Sequence, residues 1–130
     1  MRRAFDLPEE DEECLAAAKL EWEAIKENSV TWLLIHGYDI PAGYNHQVAD
    51  LALRIPPSYP DEQIDMVYFS PALALSSGRE IRQLSYATID GSQYQQWSRH
   101  RTPANPWRPG LDNVCTHLLQ VDTWLTRELK

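Results

Sequence analysis

At 130 residues, with 43% hydrophobic and 24% charged side chains, the chain has the composition of a soluble globular protein and the length to bury one core, which excludes wholesale disorder. A formal net charge of -7 excludes a bare nucleic-acid binder, whose affinity rests on neutralising phosphates with Lys and Arg. No apolar run approaches the length of a membrane span, and the two arginines behind Met1 lead into no signal-type apolar segment. One domain over residues 1–130, located in the cytoplasm, with no nucleic acid and no membrane as partner, is the expectation.

In chain order, Asp6-Leu7-Pro8-Glu9 is a helix start: Asp6 can cap, Pro8 suits the first turn, and the acidic run Glu9–Glu13 favours the positive end of the helix dipole. The same run could serve a basic partner, but a solvated helix start accounts for it. Leu15, Ala18, Trp22 and Ile25 recur at helical spacing, which predicts helix one over about residues 8–27, ended by Asn28-Ser29. Val30–His36 is a β-branched and aromatic run of strand length, apolar on both faces. Turn residues fill Gly37–Gly43. Gln47–Ile55 reads as a strand with Leu51, Leu53 and Ile55 on one side, stopped by Pro56-Pro57 and Pro60. Ile64–Phe69 is a third strand, and residues 79–88 are a weak fourth strand or an extended loop. Leu111, Val114, Cys115, Leu118, Val121 and Leu125 form the stripe of a final amphipathic helix opened by Asp112, with His117 and Trp124 toward the edge of that stripe. Cys14 and Cys115 each read as a reduced, buried, small apolar residue. The order predicts an α+β fold: an N-terminal helix, an antiparallel meander of three to four strands, an irregular polar segment and a C-terminal helix.

That polar segment, residues 89–110, concentrates the chemistry. It holds the turn signal Asp90-Gly91, then Ser92, Trp97, Ser98, Arg99, His100, Arg101, Trp107 and Arg108, and it makes a positive island in an acidic chain. Trp97 and Trp107 fit packing anchors beneath such a loop, Tyr59 fits a structural role, and His117 fits a packed helix residue. His36, His46, His100 and His117 lack the paired spacing of a metal site, and the sequence shows no cofactor requirement.

Four local patterns in this order resemble the ubiquitin-conjugating enzyme superfamily. Leu53-Arg54-Ile55-Pro56-Pro57-Ser58-Tyr59-Pro60 is similar to its second strand and Tyr-Pro turn, and Val67-Tyr68-Phe69 to its third strand. Trp107-Arg108-Pro109-Gly110-Leu111 is similar to the Trp-x-Pro-x-Leu that opens the helix after the active-site segment. Trp97-Ser98-Arg99-His100-Arg101 and Thr116-His117-Leu118 resemble the bacterial branch, the prokaryotic conjugating-enzyme-like family E. The resemblance runs from about Leu7 to Glu128. It implies a ubiquitin-conjugating-enzyme-like fold and a place in a bacterial ubiquitin-like modification pathway. The implied partners are a ubiquitin-like protein, an ATP-dependent activating enzyme and a JAB-type metallopeptidase of the same system. The family's neighbourhood suggests a role in antiphage defence.

The departures are as informative. The family keeps a His-Pro-Asn motif and a catalytic cysteine ahead of the Trp-x-Pro, whereas here no cysteine lies between Cys14 and Trp107. Counting back from Trp107 puts Ser98 near the missing cysteine. A serine needs a base to take its proton and donors to stabilise the oxyanion. His100 is the candidate base, and positions 98 and 100 share a face in extended backbone. Ser92 is the second candidate nucleophile, Asp90 the candidate orienter of the histidine, and Trp97, Arg99, Arg101 and Arg108 the candidate contacts to a partner's tail. Three readings stand: a transferase carrying an oxyester, a catalytically inactive adaptor that binds the activating enzyme or the ubiquitin-like protein, and a small serine hydrolase. The last lacks a nucleophile elbow.

Overall fold

The structure, a computed structural model, describes residues 1–130 and contains two helices and six strands: α1 (Glu9–Ala17), β1 (Glu21–Glu27), β2 (Val30–Asp39), β3 (Val48–Ile55), β4 (Val67–Ser70), β5 (Leu84–Ile89), β6 (Ser92–Trp97) and α2 (Val114–Glu128). All pairings are antiparallel, in the order β1-β2-β3-β4-β6-β5. The α+β reading holds, with more sheet than the sequence predicts. No helix is long and apolar enough to cross a membrane.

Helix one does not reach residue 27. Its end is a left-handed stop: Lys19 adopts φ 57°, the Lys19 N–H donates to Ala16 O, and the Leu20 N–H donates to Leu15 O, each at 3.0 Å. Trp22 and Ile25, three apart like helix neighbours, belong instead to β1 and face opposite sides of the sheet. Asn28-Ser29, with φ 52° and 66°, is the hairpin turn to β2.

The polar stretch is the second correction. Asp90-Gly91, with φ 52° and 77°, is a two-residue hairpin turn, so residues 84–97 form two strands and only 98–113 is irregular. Strand β6 tolerates its glutamines because the buried one is paired. Gln95 Oε1 accepts from the Leu73 N–H and the Trp97 indole N–H, both at 2.9 Å, and Gln95 Nε2 donates to Leu73 O.

Both helices pack on one face of the sheet. The core there joins Leu15 of α1, Leu33, Leu51, Leu53, Phe69 and Trp97 of the strands, and Val114, Leu118, Val121 and Leu125 of α2. Cys14 and Cys115 meet at this helix–helix contact as a disulfide with a Cα–Cα distance of 6.5 Å. They are not two independent reduced residues, because packing on a shared face brings together positions 101 residues apart. The opposite face carries a smaller cluster around Ile25, Trp32, Tyr68, Ile89 and Tyr94. The sheet curls over this cluster. In a flat sheet β1 and β5 would lie ~24 Å apart, yet Arg2, which pairs with β1 through Ala24, donates to Asp90 at 2.6 Å.

Helix α2 is opened by Asn113, whose side chain accepts from the Thr116 N–H while the Thr116 hydroxyl accepts from the Asn113 N–H. Asp112, the expected opener, lies buried one residue earlier, and Leu111 is exposed outside the helix. His117 and Trp124, expected at the stripe's edge, are buried within it.

Candidate functional site

The segment between β6 and α2 hangs from two tryptophan contacts, one buried and one half-buried. Trp97, with no solvent exposure, packs edge-on against Phe69 at 5.4 Å and fixes the end of β6. It is an anchor in the core and offers no surface to a partner. Trp107 donates its indole N–H to Pro60 O at 3.0 Å and lies against Tyr59 at 6.3 Å. The proline-rich chain between the two turns tightly, with Asn105 N–H on Thr102 O.

Ser98 is the first residue past the sheet. Its N–H donates to Gln83 O at 3.1 Å, it is half-buried, and its hydroxyl makes no hydrogen bond to the chain. His100 does not bond to Ser98. It turns toward Asp65, on the connection before β4, with Nδ1 2.9 and 3.0 Å from the two carboxylate oxygens. A carboxylate can only accept, so the Asp65 contact places the ring proton on Nδ1 and leaves the Nε2 lone pair outward.

Asp90 and Ser92 stand elsewhere. They occupy the turn of the β5–β6 hairpin, and the run of β6 from Ser92 to Ser98 sets them ~20 Å from Ser98. Asp90 is engaged by Arg2, which holds its carboxyl below the ordinary value, and its N–H donates to Glu27 at 3.1 Å. The structure therefore brings Ser98 and His100 to one end of the hairpin and leaves Ser92 and Asp90 at the other. Asp65 fills the orienting position that the sequence offered to Asp90. Thirty-five residues separate it from His100, and no local pattern marks it.

The arginines are less free than their sequence density implies. Arg99 pairs with Glu128 at 3.0 Å and lies over Trp97 at 5.0 Å. Arg101, nearly buried, lies over Trp107 at 5.1 Å and 4.0 Å from Asp112. Arg108 is largely exposed, with its N–H on Asp112 at 2.7 Å. Burial alone would raise the Asp112 carboxyl, but the Arg108 N–H and guanidinium, with Arg101 behind them, hold it below its ordinary value.

Two polar groups lie beneath the segment. His117 has no solvent exposure; its Nε2–H donates to Met66 O at 2.8 Å, and Nδ1 has no partner. Burial, reinforced by the nearby Arg101 charge, lowers it to about 4, so it is neutral at physiological pH. At the start of α2, the Tyr59 hydroxyl donates to buried Asp11 at 2.6 Å and accepts from the Val114 N–H at 2.8 Å. Burial raises both the Asp11 carboxyl and the Tyr59 phenol. Tyr59 thus ties α1 and the 56–60 turn to the first free N–H of α2, the structural role its sequence context suggested.

Two grooves flank the segment. One of about 570 Å³ lies between Asp61-Glu62 and Arg101, Thr102, Trp107 and Pro109. The other, of about 710 Å³, lies between the 73–83 connection and the start of β5, where Gln83 holds Ser98. No group of three or more His, Cys, Asp or Glu side chains is arranged to hold a metal ion. Chemically, the arrangement offers one unengaged hydroxyl, one imidazole oriented by a carboxylate, and a loop pinned at both ends.

Comparison with known families matches the chain to the family described as prokaryotic E2 family E, over residues 7–128. No curated protein and no solved structure matches the chain.

Proposed function

The chain belongs to prokaryotic E2 family E of the ubiquitin-conjugating enzyme superfamily, and on that premise we propose that it carries the C-terminal acyl group of a ubiquitin-like protein as an oxyester on Ser98 and passes it to a target. The family supports a conjugating-enzyme-like role alongside a ubiquitin-like protein and an activating enzyme. The whole of 1–130 acts as one domain in this reading. The observation that carries it is an unbonded Ser98 hydroxyl two residues from a histidine whose Nδ1 is already taken by Asp65, on the segment leading into α2.

In the proposed step, Ser98 Oγ attacks the activated carbonyl while its proton passes to His100 Nε2, and the activating group departs with the bonding electrons. The imidazolium returns its proton to the departing group, and in the second step the target's nucleophile attacks the oxyester, His100 Nε2 takes the nucleophile's proton and hands it to Ser98 Oγ as it leaves. Asp65 orients the ring and stabilises its charged form. The Ser98–His100 hydrogen bond is not made in the free protein, so it forms only as the acyl donor docks. Ser98→Ala is expected to abolish conjugate formed from a ubiquitin-like protein, its activating enzyme and ATP. His100→Ala lowers it by about 10²-fold, with near-unchanged unfolding curves. Undiminished conjugation by Ser98→Ala would overturn the reading.

The adaptor reading has its own support: Arg99 and Arg101 are spent on internal contacts, which stiffens the segment instead of freeing it for a tail. Conjugates recovered with every Ser and Thr from 85 to 102 replaced would favour it. The consumption of ATP in activation supports the cytoplasm as the location. The same reading extends to a JAB-type metallopeptidase that cleaves the linkage and to a role against phage.

A further inference from the structure

Strand β4 is entered through an irregular joint, residues 63–66, and one residue of the joint is strained. Met66 adopts φ 59°, a left-handed conformation that a residue with a Cβ does not hold unaided. The result is a break in alternation. Val67 and Phe69 belong to the core under the helices, while Tyr68 belongs to the cluster on the opposite face and Met66 packs against it. Regular pleating would therefore put Asp65 in the helix-side core with Val67 and Phe69. Instead Ile64, with no solvent exposure, takes a place in that core. Asp65 turns out toward the 98–113 segment, where it meets His100.

Two hydrogen bonds hold the joint in this shape. The Met66 N–H donates to Asp65 Oδ1 at 3.1 Å, the same oxygen that faces His100 Nδ1 at 2.9 Å. On the other side, His117 Nε2–H donates to Met66 O at 2.8 Å. That is the one hydrogen bond of the His117 side chain: Nδ1 is buried without a partner, and the ring otherwise packs edge-on against Trp124 at 5.6 Å. Of the charges that act on the ring, Arg101 opposes a second proton, and Asp65 and Asp112 favour one. Burial outweighs them, so the ring is neutral and its single proton sits on Nε2. An aromatic side chain without nitrogen would fill the same space and leave no buried acceptor unpaired. What histidine adds at this position is its grip on the Met66 carbonyl.

We infer that His117 is a positioning residue for the His100 imidazole. By holding the Met66 carbonyl it fixes the left-handed joint that aims the Asp65 carboxylate, and so sets the tautomer in which His100 Nε2 is the free base. The use of His100 as a base rests on the transfer reading above; the run of contacts from His117 to His100 does not.

The test is the ring-nitrogen NMR spectrum of the ¹⁵N-labelled full chain at about pH 8.5, well above the ordinary histidine range. The His100 signals are assigned by their loss in His100→Asn. The parent is expected to carry the His117 proton on Nε2 and the His100 proton on Nδ1; either ring in the other tautomer overturns the proposal at once. His117→Phe keeps the packing on Trp124 and removes the donor, and His117→Asn places an amide only where Nδ1 stood. In whichever of the two folds, His100 is expected to pass to the mixed tautomers of an unrestrained imidazole. His117→Gln, whose amide reaches the Met66 carbonyl, is expected to restore the parent signals at His100. A role in packing alone would lower the unfolding midpoint of these variants and leave the His100 tautomer untouched. That result, or loss of the tautomer in His117→Gln as well, would overturn the proposal. With a ubiquitin-like protein, its activating enzyme and ATP, His117→Phe is expected to form the Ser98 adduct about tenfold more slowly than the parent. A chain whose tautomers follow residue 117 but which forms no adduct keeps this inference and refutes the transfer reading. A chain that forms the Ser98 adduct with a His100 tautomer indifferent to residue 117 does the reverse.

Discussion

His117 sits wholly out of solvent with its Nε2–H on the Met66 carbonyl, and folding leaves no accommodation for a second proton. The unfolded chain takes that proton near 6.5, whereas the folded chain resists until about 4. The contribution is therefore complete above 6.5 and is lost as pH falls toward 4, on the order of 3 kcal/mol over the window. Glu23, lowered to about 2 by Arg2 and His36, keeps its contribution above about 4.5 and loses it as pH falls from there toward 2. Asp11, raised by burial, acts in the opposite sense, and only where carboxyls titrate. Denaturant unfolding between pH 6.5 and 5 is thus expected to lose stability in the parent and to lose none in His117→Gln, where the raised His36 leaves a slight slope of the opposite sign; equal slopes would contradict the assignment. At this scale the sequence was partly readable. Ser98 and His100 drew notice because serine, histidine and arginine crowd one stretch. Asp65, Asp112 and the burial of His117 did not, since each depends on contacts between residues distant in the chain.

At the level of elements, hydrophobic period was a good guide wherever nothing interrupted it. Strands β2 and β3, Val67–Phe69 of β4 and the body of α2 fall where apolar spacing puts them. Two elements were hidden for different reasons. Helix α1 stops at a left-handed Lys19, a position that usually shows itself as glycine, and Trp22 and Ile25 then imitate another helical turn. The β5–β6 hairpin was masked by polar strands whose buried Gln95 is satisfied through Leu73 and Trp97. The Lys19 stop yields a prediction. A non-glycine residue in this conformation is strained, so Lys19→Gly is expected to raise stability by about 0.5–1 kcal/mol. The check is a higher denaturation midpoint at unchanged m-value. A lower midpoint would mean that the lysine side chain stabilises the stop.

At the scale of the whole molecule, the curl of the sheet joins the first residues of the chain to the hairpin that leads into Ser98. Arg2 bridges Glu23 and Asp90, and Glu23 in turn accepts from His36 at 2.8 Å. Burial lowers His36, but Glu23 and Asp50 outweigh it and leave it raised. Because the Arg2 bridge is exposed, its effect is local and weakened by salt. Arg2→Ala is expected to speed amide hydrogen exchange at Ile89–Ser92 and leave α2 unchanged; uniform acceleration would show that the bridge supports the entire fold. The curled sheet and the disulfide-joined helices hold the 98–113 segment at both ends, and the proposed chemistry depends on that support. Intact mass spectrometry after incubation with a ubiquitin-like protein, its activating enzyme and ATP tests the oxyester most directly. The account predicts one added acyl mass that survives thiol, is lost in hydroxide and is absent from Ser98→Ala. A thiol-labile adduct, or an adduct retained in Ser98→Ala, would contradict it.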